Sequence, residues 1–320
     1  MVMNNIKPIF IVGCPRSGTT LLASRINLHS EIVVTPETHF FEILNNSFLI
    51  KTKYRLTPEG IYNIIYSSRM KDLQIDFDIF MEIYKQTEQT YINIFDSCMN
   101  VYRVKTNKAY WCEKTPQHLK YLKDIFYYYP NAKVICILRD GRDVALSLSK
   151  VPWYERNIAT CSMKWNEYIS YFNRAKLIYS KKNFFSLKFE DFVRYPENIL
   201  NSICDFLEVD FERSLLESFR NKSNIVPVWE TEWKNNVTKP INNKMVGKWK
   251  LEATDFYKKL MSTIMRVNLH KLEYDNIELS INSREKIRVK LSIAIAKVLK
   301  IILDFLGRYS RFRGKKYHPF

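Results

Sequence analysis

Hydrophobic positions along this chain follow two rhythms. Short apolar or β-rich runs occur at Ile9 to Val12, Ile32 to Val34, Tyr110 to Glu113, Lys133 to Leu138 and Phe184 to Phe189, with long helical stretches between them. Runs that are apolar on both faces read as buried strands of a parallel sheet, and the stretches between them as crossover helices. The pattern predicts a doubly wound α/β fold with a mainly parallel central sheet, and ligands at the carboxyl ends of its strands.

Two regions break the alternation. Residues Phe41 to Val101 are rich in Tyr, Ile and Phe without a strand pattern, and read as a helical insertion over about 41–101 that either walls an acceptor site or packs as a subdomain. Near the end, Leu291, Ile295, Val298, Ile302 and Phe305 recur at helical spacing, while Lys297, Lys300, Asp304 and Arg308 share another face. The charges interrupt any run long enough to span a bilayer. The tail, 276–320, therefore reads as a basic amphipathic helix that either lies on an anionic membrane surface or docks on the body. Nothing divides 1–275, which reads as one domain.

Composition sharpens this only in part. The 320 residues are 46% hydrophobic and 26% charged, which excludes a disordered chain, and the net charge of +17 points to anionic partners. The excess is concentrated in 276–320, where 11 Lys/Arg face 3 Asp/Glu. Cys14, Cys98, Cys112, Cys136, Cys161 and Cys204 have no metal-ligand spacing and read as reduced structural thiols. Met1 to Asn5 resemble no secretory leader, so a cytoplasmic enzyme, peripheral at most on the inner membrane face, is expected. On that view the sequons at Asn45, Asn221 and Asn236 are coincidental.

The first strand runs directly into Gly13-Cys14-Pro15-Arg16-Ser17-Gly18-Thr19-Thr20 and then an amphipathic helix. A glycine-bounded turn at a helix start aims unpaired backbone N–H groups at an anion, so this is a P-loop-like phosphate cradle. The Lys that a triphosphate loop carries after its second Gly is replaced by Thr19, and no Asp-rich strand end stands by for Mg²⁺. A nucleoside-triphosphate kinase or hydrolase is thereby disfavoured, and no metal is expected. A basic membrane- or nucleic-acid-binding module would explain the charge but not this loop. A second cation-and-hydroxyl pair follows the strand Lys133 to Leu138, as Arg139 and, eight residues on, Ser147. That spacing keeps the two on one side of a helix, able to converge on one anionic group.

In these motifs the chain resembles the sulfotransferases that use 3′-phosphoadenosine 5′-phosphosulfate (PAPS), most nearly the tyrosylprotein sulfotransferases and their bacterial relatives. The resemblance continues through Trp111-Cys112-Glu113-Lys114-Thr115-Pro116, Tyr129 to Lys133, Phe189-Glu190-Asp191-Phe192, Val246-Gly247-Lys248-Trp249 and Leu269 to Tyr274. It implies that Arg16, Ser17, Gly18, Thr19 and Thr20 hold the 5′-phosphosulfate and that Arg139 and Ser147 hold the 3′-phosphate. Lys248 is expected to close over the nucleotide, and Trp249 either joins it or belongs to the core. His39 stands where the tyrosylprotein enzymes carry Arg, and Phe189 where the family often has Tyr.

Sulfuryl transfer needs a base for the acceptor proton and a cation for the charge that grows on the leaving oxygen. Glu37 lies just past the strand Ile32 to Val34, stiffened by Pro36, and 21 residues after Arg16, where the resembling enzymes have their catalytic Glu. His39 is the alternative base. Lys114 matches the family cation at the bridging oxygen, a role that Arg16 can share. The expected reaction transfers a sulfuryl group to a hydroxyl, of a glycan or glycolipid given the basic tail, with tyrosine or a small metabolite as alternatives.

Overall fold

The computed structural model describes residues 7–46, 56–66, 68–152, 154, 156–217, 226–227, 240–274 and 282–312. Met1 to Asn5, the sequons at Asn221 and Asn236, and the basic residues Arg313, Lys315 and Lys316 fall outside them. The chain forms two compact units, one of Met1–Gly13, Gly18–Leu138 and Phe172–Asn242, the other of Cys14–Ser17, Arg139–Tyr171 and Asn243–Phe320.

In chain order the elements are β1 (Ile9–Gly13), α1 (Thr19–Ile26), β2 (Ile32–Val34), α2 (Phe40–Asn46), α3 (Pro58–Tyr66), α4 (Phe77–Lys85), α5 (Tyr91–Lys105), β3 (Tyr110–Lys114) and α6 (Leu122–Tyr128). Then come β4 (Lys133–Leu138), α7 (Gly141–Leu148), α8 (Ile158–Ile178), β5 (Phe184–Lys188), α9 (Phe189–Arg194), α10 (Pro196–Leu207), α11 (Lys248–Glu252), α12 (Asp255–Lys271) and α13 (Ser283–Phe312).

The five strands make one sheet in the first unit, ordered β2-β3-β1-β4-β5 and parallel throughout. Ile11 stands opposite Lys114 on one side and Ile135 on the other, so the winding reverses at β1. Such a reversal is where open α/β sheets place their ligands. The doubly wound expectation holds because β1 and β4 are buried along their whole length, which only a sheet covered on both faces provides.

The insertion is helical, as read. Phe40, Phe41 and Phe95 from α2 and α5 gather on Phe10 and Trp111 of the sheet, with ring centroids 4.8 Å apart for Phe40 and Phe95 and 5.6 Å for Phe10 and Trp111. Each such aromatic pair adds about 0.5–1.5 kcal/mol beyond its burial. Among the described aromatics of the insertion, Phe41, Phe80, Tyr84 and Phe95 are buried, whereas Tyr62, stacked on Tyr66 at 4.3 Å, is 47% exposed.

Three strand ends differ from the expectation by one residue: β1 reaches Gly13, β3 reaches Lys114, and β5 stops short. β5 ends at Lys188, and Phe189 opens α9 instead of closing the strand. Its ring lies against Gly18, where an added Cβ would come within 2.4 Å of the ring. All six cysteines are buried, and none is in a disulfide.

In the second unit, α7 packs on α11 and α12, and α13 packs on α12. The predicted terminal helix is present. Its packed positions are Val289 and Ala296, however, while Leu291, Ile295, Val298 and Ile302 of the apolar row are exposed. Two small contacts suffice because ionic and cation-π contacts tie the helix at intervals: Glu285 to Lys259 at 2.7 Å, Lys300 to Glu167 at 3.1 Å, and Arg288 over Phe256 at 4.6 Å. No helix among the described residues is long and apolar enough to cross a membrane.

Candidate active site

The first unit carries Glu37, His39 and Lys114. Parallel pairing of β2 and β3 continues one step past the strand, as Thr35 N–H donates to Cys112 O at 2.9 Å. Pro36 then turns the chain and Glu37 follows, while Lys114 is the last residue of β3. Both side chains thus sit at carboxyl ends of neighbouring strands. They meet there: Lys114 Nζ lies 2.5 Å from Glu37 Oε1, with the lysine side chain wholly buried.

The turn that presents Glu37 is fastened from beneath. Glu113 is fully buried and accepts from Thr38 N–H at 3.2 Å, Thr38 Oγ1 at 2.8 Å and Thr115 Oγ1 at 2.5 Å. Its second oxygen faces Nδ1 of buried His118 at 2.8 Å. Burial alone would raise the Glu113 carboxyl, yet His118 and the hydroxyl donors outweigh it and hold the group below the usual carboxylate range. Glu113 is thus an ionised post to which the 37–39 turn is tied.

His39 closes this cluster in a left-handed backbone conformation, φ 53°, uncommon for residues other than glycine but one that His enters more readily than most. Its ring contacts Glu37 at 3.4 Å and Glu42 at 3.2 Å. Burial opposes charge on the imidazole, but the hydrogen bonds to Glu37 and Glu42 prevail and raise it to about 9. The bond from His39 lowers Glu42 to about 2. At neutral pH His39 is a cation held between two carboxylates.

The second unit gathers a different set. Arg16, with φ 72°, donates from Nε to Ser147 Oγ at 3.0 Å. Arg139 Nη1 donates to the Arg16 carbonyl at 3.1 Å and Nη2 to the Met245 carbonyl, while the Arg139 carbonyl accepts from Trp165 Nε1 at 3.1 Å. Asp143 receives the N–H groups of Gly247 at 2.7 Å and Trp249 at 2.9 Å. Burial raises the Asp143 carboxyl against the opposing pull of Arg139 and those two amides. Three sequence-predicted residues, Arg16, Arg139 and Ser147, are therefore one cluster, with two guanidinium groups and a hydroxyl.

The loop itself suits an anion. Gly18, at φ 98°, precedes α1, and the first helical bond runs from Leu22 N–H to Gly18 O, so the amides of Thr19, Thr20 and Leu21 come before the ladder. Ser17 Oγ is buried and has no hydrogen-bond partner among the described residues. A buried hydroxyl of this kind costs about 1–3 kcal/mol when unsatisfied, and a phosphate oxygen would satisfy it. These residues fit a phosphorylated donor. Among the described residues, no three His, Cys, Asp or Glu side chains gather to hold a metal.

Lys248 opens α11 and pairs with Glu252 at 2.9 Å, and Trp249 is fully buried with the Arg142 guanidinium over its ring at 3.9 Å. Trp249 thus takes the core role. Sequence reading missed Glu113, His118, Glu42 and Asp143. The signal for Asp143 was present, since an acid in the first turn of a helix is a ready acceptor for loop amides, but its partners lie 104 and 106 residues away.

Residues 8–213 match the profile of the Sulfotransferase family. The chain belongs to that family. Among its sulfotransferase relatives, the protein-tyrosine sulfotransferase of Drosophila melanogaster is 27% identical over 75% of this chain and 46% of its own length. The human protein-tyrosine sulfotransferase 1 is 26% identical over 75% of this chain and 62% of its own. The chain therefore spans about half of those relatives. The sulfotransferase domain of the Synechococcus PCC 7002 olefin synthase superposes with a TM-score of 0.61 at 20% identity, covering 85% of this chain and 96% of that domain. That likeness establishes a shared fold.

Proposed function

We propose that this protein transfers the sulfuryl group of PAPS to an acceptor hydroxyl by in-line displacement, with Glu37 as general base and Lys114 as the cation at the leaving oxygen. The observation that carries this reading is the contact of buried Lys114 with Glu37 at 2.5 Å, in a chain of the sulfotransferase family. When bound, the donor supplies the sulfuryl group and departs as 3′,5′-bisphosphoadenosine.

The chain's own residues divide the work. Ser17, Gly18, Thr19 and Thr20 offer hydroxyls and helix-start amides to the 5′-phosphosulfate end. Arg139, Ser147 and Arg16 offer two cations and a hydroxyl to the 3′-phosphate, and Lys248 adds a further positive charge after Gly247. Glu37 takes the acceptor proton. An ammonium shared between Glu37 and the leaving oxygen couples the two events, because as Lys114 turns toward growing charge it releases Glu37 to become more basic. His39 already carries a proton at neutral pH, which supports Glu37 as the base and gives His39 the part of a charged strut.

For the acceptor, a glycan or glycolipid hydroxyl is the first reading, supported by the half-exposed Tyr62 ring as a stacking surface and by the basic terminal helix. A tyrosine phenol is the second, supported by the activity named for the relatives. Calorimetric titration with 3′,5′-bisphosphoadenosine and with 5′-AMP, in wild type and Arg139→Ala, tests the donor assignment. Tight binding that requires both the 3′-phosphate and Arg139 is expected, and equal affinity for the two nucleotides would overturn it. Radiolabelled sulfate transfer onto glycolipid and tyrosine-peptide panels then separates the acceptors.

A further inference from the structure

Helix α13 wears its hydrophobic residues on the outside. Its packed side is narrow and only partly apolar, formed by Glu285, Val289, Ala296 and Lys300. At 100° per residue, Ile287, Leu291, Ile295, Val298 and Ile302 lie on the opposite side. These five are between 47% and 66% exposed. The stripe they form is about 22 Å long at the helical rise of 1.5 Å per residue. A soluble helix ordinarily turns such a stripe inward, and a row of this extent left outward marks a contact surface.

The charges around the stripe select the occupant. Lys286, Lys290 and Lys297 run along one flank and are exposed. Arg288 lies toward the other, over Phe256 at 4.6 Å, and Arg284 stands at the N-terminal end of the stripe. The acid in the first turn, Glu285, lies on the packed side and is engaged by Lys259 at 2.7 Å. The chain continues past Phe312 with Arg313, Lys315 and Lys316. A second copy of the helix laid on this stripe would set basic flank against basic flank in either orientation. An anionic lipid surface meets both flanks favourably while its acyl region takes the stripe.

We infer that α13 lies in the plane of an anionic membrane surface, with the Ile287 to Ile302 stripe buried at the acyl boundary and the flanking Lys and Arg side chains among the headgroups. Docking on α12 and α8 holds the helix ready with that stripe outward, so no unfolding precedes attachment. The inference is independent of the acceptor and of the donor, since it concerns binding alone.

Flotation of the full chain with vesicles of phosphatidylcholine, with and without about one third phosphatidylglycerol, tests it. Expected are binding to the anionic vesicles at least about tenfold tighter than to the neutral ones, and weakening as salt screens the headgroups. The double variant Leu291→Glu, Val298→Glu should lose about tenfold or more, and Lys290→Glu, Lys297→Glu should abolish the preference for anionic lipid. Thermal unfolding of both variants should match wild type, because the altered side chains are exposed. Equal binding by the stripe variant and wild type, or no vesicle binding at all, overturns the inference. Dimers in sedimentation that the stripe variant lacks would overturn it in favour of a second copy as the occupant.

Discussion

Lys114 and Glu37 form a buried ion pair, Nζ to Oε1 at 2.5 Å, across the carboxyl ends of two adjacent parallel strands. Removing either partner takes a counter-charge from the other, although Glu37 would still face His39 at 3.4 Å. Lys114→Ala is expected to lower kcat by about 10²–10³, the usual loss when a group aimed at developing charge is deleted. Glu37→Gln, which keeps the shape, should lower it by about 10² or more with affinity for 3′,5′-bisphosphoadenosine retained. Steady-state kinetics and calorimetry on the two variants check this, and near-normal turnover in Glu37→Gln would move the base to His39.

His39 gives stability a pH signature. Its imidazole is held at about 9 when folded, against 6.5 as the unperturbed value. A group whose pKa rises on folding stabilises most below its unfolded value, and loses that contribution as pH climbs through the folded one. Glu42, lowered to about 2, behaves in the opposite sense and loses its contribution only in strong acid. The urea midpoint of wild type relative to His39→Asn should therefore be highest near pH 6 and shrink toward pH 9.5. Asn is the suitable replacement because it tolerates the left-handed backbone at this position. A difference that is flat across this range would show that His39 is not charged in the folded protein.

Glu113 and His118 are both fully buried and only 2.8 Å apart. Glu113→Ala strands a buried imidazole and unties Thr38, so it should cost about 3–5 kcal/mol in chemical denaturation. A partial loss of turnover should accompany it even where the protein remains folded, because the turn bearing Glu37 is released. Full turnover in a folded Glu113→Ala protein would mean that the turn holds without Glu113, as through the Thr38 and His39 N–H groups that donate to Thr115 Oγ1 at 3.1 and 3.3 Å.

Gly18 is pressed by Phe189 and has φ 98°, so two separate penalties face any side chain there. Gly18→Ala should destabilise by about 1–3 kcal/mol and weaken nucleotide binding. In a Phe189→Ala background the steric part disappears and the backbone part remains, so the cost should fall without vanishing. An unchanged cost in the double variant would show that the ring gives way freely.

The sheet was legible because buried parallel strands leave unbroken apolar runs, and all five were placed to within a residue or so. The turn between β1 and α1 was legible because Gly13 and Gly18 bracket it between a strand and a helix. What periodicity cannot express is contact between turns. Glu37 and Lys114 are 77 positions apart, and neither their pairing nor the post made by Glu113 and His118 follows from local spacing. Phe189 reads as strand because apolar runs carry no mark of where a strand becomes a helix. In α13 the apolar row was evident, but the packed side was fixed by Val289, Ala296 and two ion pairs, which a hydrophobicity pattern ranks below Leu291 and Ile295.

Arg139 stands just before α7, which carries Asp143 and Ser147, yet what steadies this segment arrives much later in the chain. The Met245 carbonyl receives Arg139 across 106 residues, and the amides of Gly247 and Trp249 reach Asp143 across 104 and 106. On a ribosome, the sheet can assemble while those partners are still unsynthesised. The side chains proposed to hold the donor's 3′-phosphate are then set only when the stretch from 243 to 249 emerges, and chains cut short before it are expected to carry the sheet without that ordered cluster.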